Sequence, residues 1–234
     1  MRTYLASTLC LFTACSGSNL DPGSGNDPGG GTSTLVVDGN VHASPRIANA
    51  ASAADFDTEF SVRASLNGLE VTTGTVQVTS ASGTIGLVFQ PDGGQKGRWT
   101  AVAPGYDEVY ILDVVSGADE VTGVRVDGPD IHAFTDPLAG ATVDSTLPLP
   151  IAWSCGDTAD VATIRAEQVD NLAIADTGTF MLPSNALKSE ADKPKENTVR
   201  LVRTNRVTPA GAVGISELSV GVENELDLIA QPAP

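Results

Sequence analysis

Hydrophobic and polar residues alternate along much of the chain beyond residue 34. Apolar side chains occupy every second position in segments 58–64, 74–79, 108–114 and 121–127. A period of two in segments rich in Val, Thr and Ile predicts half-buried β-strands. Turn-forming pairs such as Asn67-Gly68 and Pro104-Gly105 separate these segments. Short strands at this spacing predict an all-β fold of antiparallel sandwiches.

The alternation is interrupted between residues 128 and 137, where Gly, Pro and Asp cluster. A cluster of such residues between periodic segments indicates a loop or a domain boundary. We therefore expect a first β-sandwich domain over residues 35–130 and a second over residues 137–231.

Several short motifs in both units resemble known sandwich families. Val76-Gln77-Val78, Gly97-Arg98-Trp99 and Gly105-Tyr106 resemble transthyretin-like and carboxypeptidase-regulatory domains. Segment 147–154 (LPLPIAWS) and the Asp-x-Gly-x-Phe motif at 176–180 resemble fibronectin type III and other immunoglobulin-like domains. These resemblances imply two antiparallel immunoglobulin-like β-sandwiches in tandem, and they supply no catalytic residues.

The first fifteen residues have the pattern of an export signal. Arg2 gives a positive start, and residues 4–14 form an apolar run that is shorter than the roughly 20 residues of a spanning helix. Thr13-Ala14-Cys15 then resembles the signal of bacterial lipoproteins, although Phe12 departs from that pattern. The resemblance implies a signal peptide over residues 1–14 and lipidation of Cys15 by chains such as palmitate. An ordinary secretory signal cleaved near Ala14 is the alternative.

The residues after the lipidation motif indicate where the protein resides. Ser16, rather than Asp, follows Cys15, which by analogy with lipoproteins favours the outer membrane. Residues 15–34 are rich in Gly, Ser, Asp and Pro, a composition that predicts a disordered tether. We thus expect a lipid-anchored protein of the cell envelope, on either the periplasmic or the surface face.

Charge and residue counts disfavour several classes of partner, metal site and enzyme. Lys and Arg number 13 against 29 Asp and Glu, for a net charge of −16, which disfavours nucleic acid as a partner. His42, His132 and Cys155 are too far apart in sequence for the tight spacing of Cys/His zinc motifs. The chain also lacks HExxH, GxSxG and P-loop motifs. We expect a protein that is not an enzyme and that needs no cofactor, with Cys155 as a buried thiol.

Three groups of residues are candidate sites. Trp99 and Tyr106 lie at predicted strand ends, where exposed rings would stack on sugars, although such aromatics are more often core. Asp127, Asp130 and Asp136 lie at the domain junction and are candidate calcium ligands, with solvated surface charge as the alternative. The third group is basic and is either a docking patch for an acidic partner or protection of an edge strand by charge; it comprises Arg200, Arg203 and Arg206 with Lys188, Lys193 and Lys195.

Three classes of function remain open. The leading expectation is a non-catalytic envelope lipoprotein that acts in binding, adhesion or structure, with an envelope protein or glycan as partner. The alternatives are a carbohydrate-binding module and a hydrolase that uses paired carboxylates. The sequence leaves the oligomeric state open.

Overall fold

The computed structural model describes residues 20–93, 95–190 and 193–231. The predicted signal peptide and Cys15 lie outside the described residues. The described chain consists almost entirely of β-strands, with one short 3-10 turn at Ala53–Asp55. The all-β fold expected from the alternating pattern is therefore confirmed.

Eighteen strands make up the described structure, several of them at the segments where the sequence alternates. In chain order they are β1 Gly30–Gly31, β2 Leu35–Pro45, β3 Phe56–Leu66, β4 Leu69–Glu70, β5 Thr75–Ser80, β6 Gly83–Gly86, β7 Val88–Asp92, β8 Gln95–Pro104, β9 Val109–Ser116, β10 Asp119–Asp127, β11 Phe134–Asp136, β12 Thr142–Asp144, β13 Leu149–Trp153, β14 Val161–Ala166, β15 Val169–Ile174, β16 Thr179–Leu182, β17 Lys195–Val207 and β18 Glu217–Gln231.

These strands form three sheets. The largest has the order β15-β14-β17-β18-β2-β3-β8-β7, with β12 beside β18 and β4 beside β3. A five-stranded sheet has the order β1-β10-β9-β5-β6, and a three-stranded sheet the order β11-β13-β16. Most pairings are antiparallel, but β18 pairs in parallel with both β2 and β12. The large sheet is therefore mixed, whereas we expected antiparallel sheets throughout.

Apolar side chains form two clusters between these sheets. The first lies between the five-stranded sheet and one half of the large sheet, and it includes Phe60, Trp99 and Leu112. The second lies between the three-stranded sheet and the other half, and it includes Trp153, Ile164 and Leu201. Each cluster is the core of a sandwich, because side chains of facing strands meet at every second position.

The last strand belongs to both sandwiches. Leu218, Val220 and Val222 of β18 are buried in the first cluster. Leu226 and Leu228 of the same strand are buried in the second. At about 3.3 Å per residue, the 15 residues of β18 extend for about 50 Å. The division expected at residues 130–137 stays a prediction, and the first half of β18 contributes to the core of the first sandwich.

Residues 20–34 lie against the first sandwich, so the expectation of a disordered tether is wrong for the described part. Gly30 and Gly31 pair with Thr122 and Val121 of β10. A Cβ atom on Gly31 would lie 2.2 Å from the carbonyl oxygen of Glu120, so only glycine permits this approach. A Gly-rich composition, which usually predicts flexibility, here allows close contact between backbones.

Candidate functional site

A buried arginine occupies the junction between the two apolar clusters. Arg203 of β17 is fully buried, although the sequence suggested a surface position. Its Nε donates to Asp176 Oδ2 at 2.9 Å, and its Nη1 donates to the carbonyl oxygen of Asp130 at 2.9 Å. Its Nη2 donates to both the carbonyl oxygen (2.5 Å) and the Oδ1 atom (3.1 Å) of Asp157. The charge is tolerated there because it is paired and hydrogen-bonded.

Asp176 is the carboxylate that balances this charge, and its side chain is 1% exposed. It also accepts hydrogen bonds from the Trp153 indole at 3.3 Å and from the Ala159 amide at 2.7 Å. Burial raises the pKa of Asp176, but hydrogen bonds from Arg203 and Ala159 lower it more, so the pKa lies below its usual value. The first residue of the Asp-x-Gly-x-Phe motif thus links the ion pair to the core tryptophan.

His132 lies beside the ion pair and is 0% exposed. Its Nε2 atom lies 3.1 Å from the carbonyl oxygen of Leu201, while its Nδ1 atom has no hydrogen-bond partner among the described residues. Burial, together with the positive charge of Arg203, lowers the pKa of His132 to about 3. His132 is therefore neutral at physiological pH.

An acidic cleft of about 490 Å³ borders this junction. Its lining includes five carboxylate side chains: Glu108, Asp127, Asp130, Asp157 and Asp160. Burial raises the pKa of Glu108, and repulsion from Asp130 raises it further. Burial also raises the pKa of Asp130, with repulsion from Asp157 as the next cause. The cleft therefore concentrates negative charge.

The three candidate calcium ligands do not come together in one site. Asp127 and Asp130 line the cleft, but Asp136 belongs to β11 and pairs with Ala152. The Asp127 carboxylate accepts from the Gly25 amide at 3.2 Å. Within residues 20–93, 95–190 and 193–231, no three His, Cys, Asp or Glu side chains are grouped so as to hold a metal ion. Calcium binding stays a prediction without a geometric site.

The two candidate aromatic residues are buried, so the prediction that they form an exposed platform for sugars is wrong. Trp99 is 7% exposed and donates its indole N–H to the carbonyl oxygen of Val71 at 3.0 Å. Tyr106 is 3% exposed and donates its hydroxyl to the carbonyl oxygen of Pro129 at 2.7 Å. Both rings lie in the first apolar cluster, as aromatic residues of small sandwiches usually do.

Cys155 lies at the surface, and Arg200 and Arg206 are partly exposed. Cys155 is exposed rather than buried, and it carries a free thiol. Arg200 lies on the outer face of the large sheet, where its Nε donates to Glu225 at 2.6 Å. Arg206 is also partly exposed and lies 3.5 Å from Glu217. The three arginines therefore form no common patch, because alternate positions of one strand lie on opposite faces.

The outer face of the large sheet carries a second, open groove of about 500 Å³. Side chains of both signs line it, among them Asp38, Glu59, Arg63 and Arg98. Val102 stands at its edge and is 67% exposed. Such a mixed, open surface suits contact with another macromolecule better than enclosure of a small molecule.

Comparison with known proteins adds no family to this description. No protein-family model matches the chain, and no curated protein matches it. Of the part of the chain that the structure describes, no helix has the length and apolar character needed to cross a membrane. The acidic cleft brings several carboxylates together, and a hydrolase that uses paired carboxylates stays a prediction.

The neutral, buried His132 predicts a pH dependence of stability. Its folded pKa of about 3 lies below the unfolded value of about 6.5, so the unfolded chain binds the additional proton between these values. Lowering the pH from 7 to 5 should cost about 2 kcal/mol in the free energy of unfolding through this group alone. The raised pKa values of Glu108 and Asp130 act in the opposite direction, because protonation removes the cost of burying their charges and relieves the repulsion between carboxylates.

The variant His132→Gln isolates this effect in urea titrations at pH 7 and pH 5, because the Gln side-chain amide can still donate to Leu201. Relative to the native chain, its loss of stability between these pH values should be smaller by about 2 kcal/mol. Exposed Leu172→Ala is the control and should keep the native loss. Equal losses in the native chain and His132→Gln would contradict the prediction.

Proposed function

We propose that this protein is a non-catalytic lipoprotein of the bacterial envelope, anchored through Cys15, that binds another envelope component through the outer face of its large sheet. The lipoprotein-like sequence around Cys15 supports the anchor. Several acyl chains hold a protein to a membrane stably, whereas a single chain does so only marginally. Ser16 after the cysteine favours the outer membrane.

The continuity of the large sheet is the observation that supports the binding role most strongly. Strands β17 and β18 pair over thirteen positions, from Lys195 with Ala230 to Val207 with Leu218. Their outer face therefore extends across both apolar clusters without a break. A partner that binds there would contact one rigid surface, and this lowers the entropy cost of binding.

Charges on this face are already arranged in pairs. His42 Nε2 lies 3.6 Å from Glu223, and Arg200 Nε lies 3.5 Å from the same carboxylate. The groove beside them has Asp38 and Glu59 near Arg63 and Arg98. Paired rim charges contribute specificity and association rate more than affinity. The surface thus favours a partner with charges of both signs, such as an envelope protein.

The variant Cys15→Ser tests the anchor. Cells that express the native chain with a fatty-acid analogue should label the protein, and it should fractionate with membranes. Cys15→Ser should lose at least nine-tenths of the label, because serine cannot form the thioether bond to the lipid. Cys155→Ser is the matched control and should label as the native chain does. Undiminished labelling of Cys15→Ser would contradict the anchor.

A photoreactive residue at Val102 tests the binding face. Val102 lies at the groove and is 67% exposed, so a partner on this face should be cross-linked there in intact cells. Exposed Thr179 of the three-stranded sheet is the control position. Adducts at Val102 in at least threefold excess over Thr179 are expected. Equal yields at the two positions would contradict binding through the outer face.

A further inference from the structure

Residues 21–33, here named the N-terminal strap, lie between β10 and the loop at 209–213. The carbonyl oxygen of Pro28 accepts from the Ala210 amide at 2.8 Å, and the Ser33 amide donates to Gly211 at 2.9 Å. On the other side, the Thr32 amide donates to the carbonyl oxygen of Glu120 at 2.9 Å. The strap is therefore hydrogen-bonded on both sides.

A second buried arginine holds the beginning of the strap. Arg125 of β10 is 5% exposed, and its guanidinium donates to the carbonyl oxygens of Asp21 and Gly25. Backbone groups of Asp27 and Arg125 also form a reciprocal pair of hydrogen bonds, at 3.0 and 2.8 Å. Release of the strap would remove these acceptors from a buried charge, which is costly. The strap is thus held against the body and does not act as a free spacer.

This attachment limits the distance between the lipid and the folded body. Six residue steps separate Cys15 from Asp21, and a fully extended chain spans at most about 3.3–3.6 Å per residue, or about 20 Å in all. If the whole of residues 15–34 were a free tether, its nineteen steps would permit about 65 Å. The strap therefore reduces the reach of the anchor about threefold.

We propose that the strap fixes the acidic cleft, at the junction of the two sandwiches, beside the lipid surface. This inference rests on the proposed anchor at Cys15. Pro22 and Gly23 form one wall of the cleft, and Asp157, two residues beyond Cys155, lines it as well. The cleft carboxylates repel anionic headgroups, so the short covalent connection and not charge attraction holds the cleft at the membrane. The far end of the second sandwich, at β12 and Gln231, then lies farther from the bilayer than the cleft does.

Two label positions make this orientation measurable. Cys155 is exposed beside the cleft and takes a thiol-reactive fluorophore directly. The far position is Leu147→Cys in a Cys155→Ser background, since Leu147 is 58% exposed and follows β12. β12 pairs with the end of β18 at Gln231, while Asn205 of the cleft pairs with Val220, eleven residues earlier. The two positions therefore differ by about 35 Å along the strand.

The full lipidated protein is reconstituted into phosphatidylcholine vesicles that contain a headgroup-labelled quencher lipid. The fluorophore at Cys155 should be quenched at least twofold more than the fluorophore at Leu147→Cys. Insertion of twelve Gly/Ser residues after Ser18 should abolish this difference, because it lengthens the connection without altering the body. Gly31→Val should abolish it as well, since its side chain would collide with the backbone of β10.

Equal quenching at the two positions in the native connection would overturn the orientation. So would a twofold difference that persists after the Gly/Ser insertion. A failure of the anchor gives a different result, because Cys15→Ser protein would then still float with the vesicles. The proposed function and the orientation can therefore fail separately.

Discussion

The structure depends on one strand that completes two cores. β18 pairs with β17 along its length, and its first six residues also pair in parallel with β2. Leu218 and Leu228, ten residues apart, are buried in different apolar clusters. Because a β-strand is nearly straight over this distance, the two sandwiches take their relative position from the strand itself. The continuous outer face exists for the same reason.

The ion pair of Arg203 and Asp176 lies where the two sandwiches meet along β18. Arg203 pairs across the ladder with Val222, the last residue of β18 in the first cluster. Its guanidinium joins Asp130, which precedes β11, to the exposed Asp157 and the buried Asp176. Buried ion pairs add little net stability over apolar residues, but loss of one partner costs about 3–5 kcal/mol. Removal of either partner should therefore destabilise the junction of the sandwiches.

The local sequence predicted those strands in which apolar and polar residues alternate with a period of two. Alternation at 121–127 corresponds to β10, and alternation at 58–64 corresponds to part of β3. The same period places Arg203 and Arg200 on opposite faces of β17. It does not reveal which face has a carboxylate that can pair with a buried arginine. The parallel pairing of β18 with β2 joins residues about 180 positions apart, and no local pattern records it.

The places of the glycine-rich stretch and of Trp99 also depend on contacts that the local sequence does not determine. The Gly-rich stretch before residue 34 has the composition of a flexible linker, yet Gly31 is required for close contact with β10. Trp99 lies near turn-forming residues in the sequence, yet its indole is buried and bonded to Val71. Both outcomes depend on which backbone lies opposite, and this is a property of the tertiary structure. The sequence marks Asp176 only as part of a motif, and no local pattern pairs it with Arg203.

The most direct test of the shared strand uses the two tryptophans, because Trp99 reports the first core and Trp153 the second. Trp153→Phe and Trp99→Phe give single-tryptophan proteins for urea unfolding followed by fluorescence. Leu218→Ala in the first core should lower the free energy of unfolding by about 2–5 kcal/mol and shift both signals equally. Exposed Leu172→Ala is the control and should shift neither. A shift of the Trp99 signal alone would show that the sandwiches unfold separately and would contradict the account.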